Sequence, residues 1–378
     1  MRRVAGRSIT TAEGIGAAQR DRWAEAFCAT GASQCGFCTP GIICRLEGLR
    51  AKGATVGDHE AVEQALLAHL CRCTGWRTIL EAWDVALSGA PSPASRDLNA
   101  ADERARIEGG VPQRVSPAVA LGHGGFADDG APPDALVALP DGGGGWVVGE
   151  DLAEARAAAS KVQGRRTTVD ARPPLELPTG EWSARLRTSW VEPGYLEPDA
   201  SWCAPGGTPA SPLANGGAFG GKASTEVGEV ARRLADQHGR AVRVLLPRED
   251  VVRRGPKRPP VAGGVDAHGH GVLRVVRTPG VAEAIAAVAP GLSVEEVEVP
   301  GPPTSVDLRA TGWAEAVVLL AGGRGRLDAV VDPATGGIAE AEIVDGRVVV
   351  RVEAGDPLDE VVLRSYCTGA AHMALSWV

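Results

Sequence analysis

Two short cysteine motifs decide the fold of the first quarter of the chain: Gln34-Cys-Gly-Phe-Cys-Thr-Pro-Gly41 and Leu70-Cys-Arg-Cys-Thr-Gly75. Each motif brings two thiols close together along the chain. The chain starts without the apolar core of an export signal, so paired cysteines indicate a metal site before they indicate disulfides. Four thiolates delivered in pairs suit an iron–sulfur cluster. A structural zinc ion and unliganded core cysteines are the alternatives, although a Cys-x-Cys pair is tighter than zinc sites usually use.

Residues 17–88 show the apolar spacing of four consecutive helices. The first contains Trp23 and is ended by Gly31, because glycine tolerates a left-handed backbone at a helix end. The second begins beside Pro40, since proline suits the first turn of a helix. The two cysteine motifs therefore fall where helices begin and end. We predict a small all-α four-helix bundle for this part of the chain.

The sequence changes character after residue 88. Residues 89–145 are rich in proline and glycine, and they predict a linker with one short helix near 99–108. Residues 146–378 alternate between helix and strand patterns. The clearest elements are a helix over 225–237, a strand over 241–246, a hairpin turning at Asp345-Gly346 and a helix running from Asp356-Pro357 to Trp377-Val378. The predicted fold class is α+β and multidomain, with the helical bundle followed by a mixed α/β domain.

Composition excludes several classes of function. The chain has 39 basic and 47 acidic residues, a net charge of −8, and it lacks the basic stripe that binding to nucleic acid usually requires. No segment approaches the roughly 18–20 uninterrupted apolar residues of a membrane span. We therefore predict a soluble, cytoplasmic protein with neither nucleic acid nor membrane as a partner.

The two cysteine motifs, at this separation, resemble the second [2Fe–2S] domain of the xanthine dehydrogenase and aldehyde oxidase family, the molybdenum hydroxylases. The resemblance covers residues 30–83. It implies that four cysteines ligate the cluster nearer to the molybdenum cofactor: Cys35, Cys38, Cys71 and Cys73. It also implies that Gln34 and the last of these cysteines approach the pterin.

A second motif, Gly216-Gly-Ala-Phe-Gly-Gly-Lys222, precedes a predicted helix. A glycine loop in that position is by itself more often a tight turn than a phosphate cradle. Together with the strand that follows, it resembles the molybdopterin-binding loop of the same family, as Tyr195-Leu-Glu-Pro198 resembles the segment preceding that loop. The resemblance implies that Gly217 and Gly220 approach the cofactor and that Phe219 lines the substrate pocket.

The chain also departs from the family pattern. Residues 1–16 look like the end of a ferredoxin-like domain without its cluster cysteines, and Ala223 stands where purine-hydroxylating relatives have glutamate. No glycine-rich motif with a catalytic glutamate follows, so no catalytic residue is assigned and turnover by this chain alone is not expected. Residues 146–378 are accordingly interpreted as an abbreviated molybdopterin-binding-like domain.

The resemblance predicts an iron–sulfur oxidoreductase component that relays electrons from a molybdopterin centre through a [2Fe–2S] cluster. The alternative is a non-catalytic electron-transfer or scaffold subunit, or a shortened remnant without the molybdenum cofactor. The expected partners are FAD-binding and molybdenum-binding subunits, with an oligomer as a further expectation.

Overall fold

The computed structural model of the chain describes residues 4–89, 96–107, 114–159, 172–191, 194–197, 199–212, 216–219, 221–222, 225–308, 310–325, 329–332 and 335–375. Helices make up the first part of the chain, and three β-sheets with flanking helices make up the second. This agrees with the predicted α+β class. None of the helices in these ranges is both long and apolar enough to cross a bilayer.

The four helices predicted between residues 17 and 88 are present: α1 (Ala17–Thr30), α2 (Thr39–Arg50), α3 (His59–Leu66) and α4 (Arg77–Ser88). Gly31 ends α1 in the left-handed conformation, as predicted. Helix α1 packs on α4, and α2 packs on α3. Large apolar side chains that water does not reach form the core: Trp23, Phe27, Ile42, Ile43, Leu46, Ile79 and Trp83.

The predicted linker contains more regular structure than its composition indicates. The expected short helix is α5 (Leu98–Ile107), and a one-turn helix α6 (Pro117–Ala120) packs on α1. The linker prediction is wrong for Leu136–Pro140, which form the buried strand β1. The proline and glycine residues on both sides of this five-residue apolar run are typical of a loop. The run forms a strand because it pairs with neighbouring strands, which local composition does not reveal.

From residue 136 onward, strands and helices alternate. In chain order they are β1, β2 (Trp146–Gly149), α7 (Leu152–Ala158), β3 (Ala184–Arg187), β4 (Asp199–Cys203), α8 (Val227–His238), β5 (Val242–Leu246), α9 (Arg248–Arg254), β6 (Val261–Val265), β7 (Gly271–Val276), α10 (Val281–Val288), β8 (Leu292–Val297), α11 (Trp313–Gly323), β9 (Val330–Val331), β10 (Ile338–Val344), β11 (Arg347–Glu353) and α12 (Glu360–Leu375). The predicted helix over 225–237 and strand over 241–246 are therefore confirmed as α8 and β5.

The strands form three separate sheets. The first has the order β2-β1-β5-β4, and its only parallel pair is β1 with β5 among the strands described. The second has the order β3-β6-β7-β8 and is covered by α10 and α11. The third, β11-β10-β9, contains the predicted hairpin: Asp345 and Gly346 both have positive φ, so they form the tight turn that joins twisted strands.

Helix α12 lies against the N-terminal helical part of the molecule, where it contacts α1. Its observed extent matches the predicted C-terminal helix up to Leu375. The predicted end at Trp377-Val378 lies outside the described residues. This helix brings a distant part of the sequence to the cysteine loops.

Candidate iron–sulfur site

The structure brings the four predicted cysteines together at the edge of the helical core. Cys35 and Cys38 lie in the loop that leads into α2, and Cys71 and Cys73 lie in the loop between α3 and α4. The thiols form two pairs. The Cys73 Sγ donates to the Cys35 Sγ at 3.6 Å, and the Cys38 thiol hydrogen-bonds to the Cys71 sulfur.

The pairing fits a binuclear cluster better than a single zinc ion. Two thiolates on one tetrahedral metal, with bonds of about 2.3 Å, stand about 3.7 Å apart, close to the distance between Cys35 and Cys73. Zinc would need all four sulfurs to converge on one point. Within the part of the chain that the structure describes, no three or more His, Cys, Asp or Glu side chains are placed to hold one metal ion. The described thiols thus stand as two pairs, Cys35 with Cys73 and Cys38 with Cys71.

One of the four thiols is prepared for ligation at neutral pH. The hydrogen bond from Cys38 lowers the pKa of Cys71 to about 6, and the hydroxyl of Thr74, 3.1 Å from the sulfur, acts in the same direction. Main-chain N–H groups of Cys73 and Thr74 also stabilise this thiolate against the effect of burial. The local chain therefore supplies the hydrogen bonds that a sulfur-ligated cluster uses.

Gln34 is buried beside this loop. Its Nε2 donates to the main-chain oxygen of Cys73 at 2.8 Å and to the Oγ of Ser365 at 2.6 Å. Its Oε1 has no hydrogen-bond partner among the described residues. A buried amide oxygen without a donor is an acceptor available to a ligand, because leaving such an oxygen unpaired costs about 1–3 kcal/mol.

The glycine loop lies directly on the cysteine loop. A Cβ at Gly217 would meet the Cys73 Sγ at 2.9 Å, and one at Gly216 would stand 3.1 Å from the Gln34 Oε1. Arg72 fixes this contact, since its Nε donates to the Gly217 oxygen at 2.7 Å. Residues that the sequence predicted as two separate cofactor contacts are thereby brought to one place.

Phe219 belongs to the same contact. Its backbone has positive φ, its ring stacks edge-on against Tyr366 of α12 at 6.2 Å, and the Arg72 guanidinium lies 6.0 Å from the ring centre. Gly220, the fourth predicted cofactor contact, lies outside the described residues.

Sequence reasoning missed three participants. Arg72 sits between two predicted ligands and could have been found there. Ser365 and Gly369 lie on α12, and the only local sign is a run of small residues in that helix. A Cβ at Gly369 would collide with the main-chain oxygen of Cys73. The positions of Ser365 and Gly369 beside the cysteine loop can be recognised only from the packing of α12 in the folded chain.

A buried ionic group lies on the other side of the glycine loop. Lys222 Nζ stands 3.7 Å from Glu197 and 3.9 Å from Asp199, and all three side chains are at most 3% exposed. Burial raises the pKa of Asp199, although Lys222 and a hydrogen bond from Thr225 oppose the shift. Glu197 is close enough to Cys73 for its charge to act on that thiol.

The remaining four cysteines are single free thiols: Cys28 and Cys203 are buried, and Cys44 and Cys367 are partly buried. Burial raises the pKa of each. They are therefore poor thiolate donors at neutral pH.

Comparison with known proteins agrees with the geometry. Residues 11–84 match the [2Fe-2S] binding domain family. A xanthine dehydrogenase of Emericella nidulans is 45% identical over 80 residues, which are 21% of this chain and 6% of that protein. A Bacillus subtilis protein, named as one of the subunits of a probable xanthine dehydrogenase, is 41% identical over 75 residues, 20% of this chain and 43% of that protein. The chain thus spans less than half of either relative.

Solved structures also resemble the fold of most of this chain. The aldehyde oxidoreductase of Desulfovibrio gigas superposes with a TM-score of 0.56 over 87% of this chain and 56% of that chain, at 16% identity. The corresponding enzyme of Desulfovibrio desulfuricans gives a TM-score of 0.53 at 18% identity. Identities this low show similarity of fold alone. The matches to the [2Fe-2S] binding domain and to the xanthine dehydrogenases support the resemblance to the molybdenum hydroxylase family that the cysteine motifs predict.

Proposed function

We propose that this chain is an electron-transfer component of a molybdenum hydroxylase, with a [2Fe–2S] cluster ligated by Cys35, Cys38, Cys71 and Cys73. The observation that carries the proposal is the pairing of these thiols, with 3.6 Å between the sulfurs of Cys35 and Cys73. A bound [2Fe–2S] cluster supplies one-electron redox chemistry. In this assignment Cys35 and Cys73 would hold one iron, and Cys38 and Cys71 would hold the second.

The protein around the four thiols buries three of them, with Cys38 partly exposed, and compensates their charge. The four helices act as a bundle that holds both cysteine loops against one apolar core. Helices α2 and α4 begin just after the two loops, so the positive ends of their dipoles favour a negatively charged thiolate cluster. The hydrogen bonds to Cys71 act in the same sense.

The residues beside Cys73 fit a molybdopterin. Gln34 offers a buried acceptor, Gly217 allows close approach of main chain, and Phe219 borders the same space. We assign these three, with Gly220, as cofactor contacts. A molybdopterin bound there supplies oxidation of a substrate carbon with oxygen from water. No residue of this chain is assigned as the catalytic base.

The partners we propose are subunits that carry FAD and the remaining molybdenum-binding structure. The similarity to a protein named as a subunit supports a multi-subunit arrangement. We place the complex in the cytoplasm, since all eight cysteines are free thiols and reducing compartments keep them so.

Metal analysis of the anaerobically purified chain tests the proposal. We expect about two irons per chain, visible absorption of a [2Fe–2S] centre and, after reduction, its electron paramagnetic resonance signal. One molybdenum per chain would support cofactor binding by this chain, and iron without molybdenum would restrict it to the relay. Zinc alone, after failed reconstitution with iron and sulfide, would reject the cluster and favour a zinc-stabilised interaction module.

A further inference from the structure

Helix α12 is seated on the cysteine loops without intervening side chains. Gly369 leaves room for the main-chain oxygen of Cys73, and Gly75 takes a positive φ where a side chain would approach the Thr368 oxygen to 2.8 Å. Two ion pairs hold the helix there: Arg364 with Glu81 at 2.8 Å and Arg96 with Asp359 at 2.8 Å. The helix is therefore part of the immediate surroundings of Cys73.

Ser365 of α12 is fully buried in this contact and makes two hydrogen bonds with defined direction. Its hydroxyl has one hydrogen, which it donates to the main-chain oxygen of Gly31 at 2.7 Å. It must then accept at its lone pair, and the partner there is the Gln34 Nε2 at 2.6 Å. The Gly31 carbonyl thus fixes Ser365 as an acceptor toward Gln34.

Both hydrogens of the Gln34 amide are consequently assigned. One goes to Ser365 and the other to the Cys73 carbonyl, so a flipped amide would place oxygen against oxygen at both positions. The amide has one stable orientation, with its positive N–H end at Cys73 and its oxygen toward the glycine loop. Without Ser365, the second N–H loses its acceptor, and the amide is free to rotate away from Cys73.

We propose that Ser365 is a positioning residue that orients the Gln34 amide and thereby raises the reduction potential of the cluster. The inference rests on the proposed function, since it assumes a cluster at the four cysteines. Reduction adds one negative charge to that cluster, and an N–H dipole directed at the Cys73 peptide stabilises the reduced form. Hydrogen bonds near cluster sulfurs are known to tune the potential in this way.

A redox titration of the full-length chain, followed by electron paramagnetic resonance, tests the role of Ser365. At the midpoint potential of the wild-type chain, we expect Ser365→Ala to raise the ratio of oxidised to reduced cluster about threefold, a shift of about −28 mV at 59 mV per decade. Thr368→Ala is the matched control, because that hydroxyl bonds only to the Arg364 carbonyl of its own helix among the described residues. It should leave the potential unchanged.

A double-variant cycle separates positioning from general disturbance. If Ser365 acts through the amide, Ser365→Ala should add no shift in a Gln34→Ala background. An equal shift in that background, or an intact cluster with an unshifted potential in the single variant, would overturn the inference. Ser365→Cys, of similar size but a weaker acceptor, serves the same comparison should alanine prevent cluster assembly. A wild-type chain without the [2Fe–2S] signal would instead reject the proposed function.

Discussion

The helical domain of residues 17–88 and the mixed region that follows it both bury cysteine, but with different results. Cys73 is 4% exposed and lies 3.6 Å from Cys35. Cys203 on β4 is fully buried, and its thiol donates to the main-chain oxygen of Ala204. Burial alone therefore does not create a metal site. The helical domain differs because its two cysteine loops meet, so that each thiol of one loop lies beside a thiol of the other.

The two regions also differ in the polar groups that they bury. In the described residues, the helical domain buries neutral groups such as Gln34 and Thr78, whereas the mixed region buries Lys222 together with Glu197 and Asp199. Buried charges respond to pH, and neutral groups do not. We therefore expect the buried charges of the mixed region to make the free energy of unfolding depend on pH.

The largest expected effect is the loss of the cluster on removing one of its thiols. Cys73→Ser should abolish the visible absorption of the [2Fe–2S] centre and lower the iron content, because one iron loses a thiolate. Cys203→Ser is the matched control, equally buried but distant from a second thiol, and it should keep the full iron content. Iron analysis and absorption spectra of the two variants, prepared in parallel, measure the difference. Retention of two irons in Cys73→Ser would refute the ligand assignment.

The next effect concerns apolar packing. Trp83 is fully buried, its ring centre lies 5.9 Å from that of Trp23, and its indole N–H donates to the Thr55 oxygen at 3.0 Å. Trp83→Ala should lower the free energy of unfolding by about 3–5 kcal/mol, through lost burial and the cavity that remains. Urea titration followed by far-ultraviolet circular dichroism measures the change.

An exposed residue of the third sheet serves as the contrast to the buried Trp83. Val350 on β11 is 38% exposed, on a sheet face that also presents Ile343 and Val348 to solvent. Val350→Ala should change the unfolding free energy by no more than about 0.5 kcal/mol. Comparable losses in both variants would show that β11 is packed more tightly than its exposure indicates.

Much of this comparison could be predicted from local sequence. Helical spacing and Gly31 defined α1, and the Asp345-Gly346 pair defined the hairpin, because each signal lies within a few residues. Strand β1 was missed because its five residues have the same apolar pattern in a loop segment as in a sheet, and the pairing with β2 and β5 decides between them.

The surroundings of the site were less predictable than its ligands. The four cysteines lie in two local motifs, whereas Gln34 and Ser365 are separated by 331 residues. No local pattern in the sequence, such as a helical periodicity or a motif spacing, signals a contact between residues so far apart. The ionic group of Lys222 and Glu197 is similar, since it forms only when the glycine loop folds onto the segment preceding β4.

Removing the buried cation should make stability depend more strongly on pH. The folded-state pKa of Asp199 is raised by burial, so its contribution to stability is present at low pH and is lost as the pH rises through that pKa. Lys222→Met removes the charge that opposes this shift. We expect a loss of about 3–5 kcal/mol at pH 7.5 and a smaller loss at pH 5, because leaving buried carboxylates without their cation is costly.

Urea titrations at the two pH values measure the effect, and the double variant Lys222→Met with Asp199→Asn is the control. If Asp199 is the responsible group, the asparagine should reduce the difference between pH 5 and pH 7.5. An unchanged difference would show that Asp199 is not the responsible group.

The last comparison separates backbone strain from contact with the cluster site. Gly217 and Gly206 have positive φ values of 73° and 68°, so an alanine at either position should cost about 1–2 kcal/mol in strain. Only at Gly217 would the new Cβ press on the Cys73 sulfur, since no atom lies within 4 Å of a Cβ at Gly206. Gly217→Ala should therefore alter the electron paramagnetic resonance spectrum of the reduced cluster, while Gly206→Ala leaves it unchanged at a similar cost in stability. Identical spectra for both variants would mean that the glycine loop does not touch the Cys73 sulfur in solution, and the proposed cofactor contact at Gly217 would have to be abandoned.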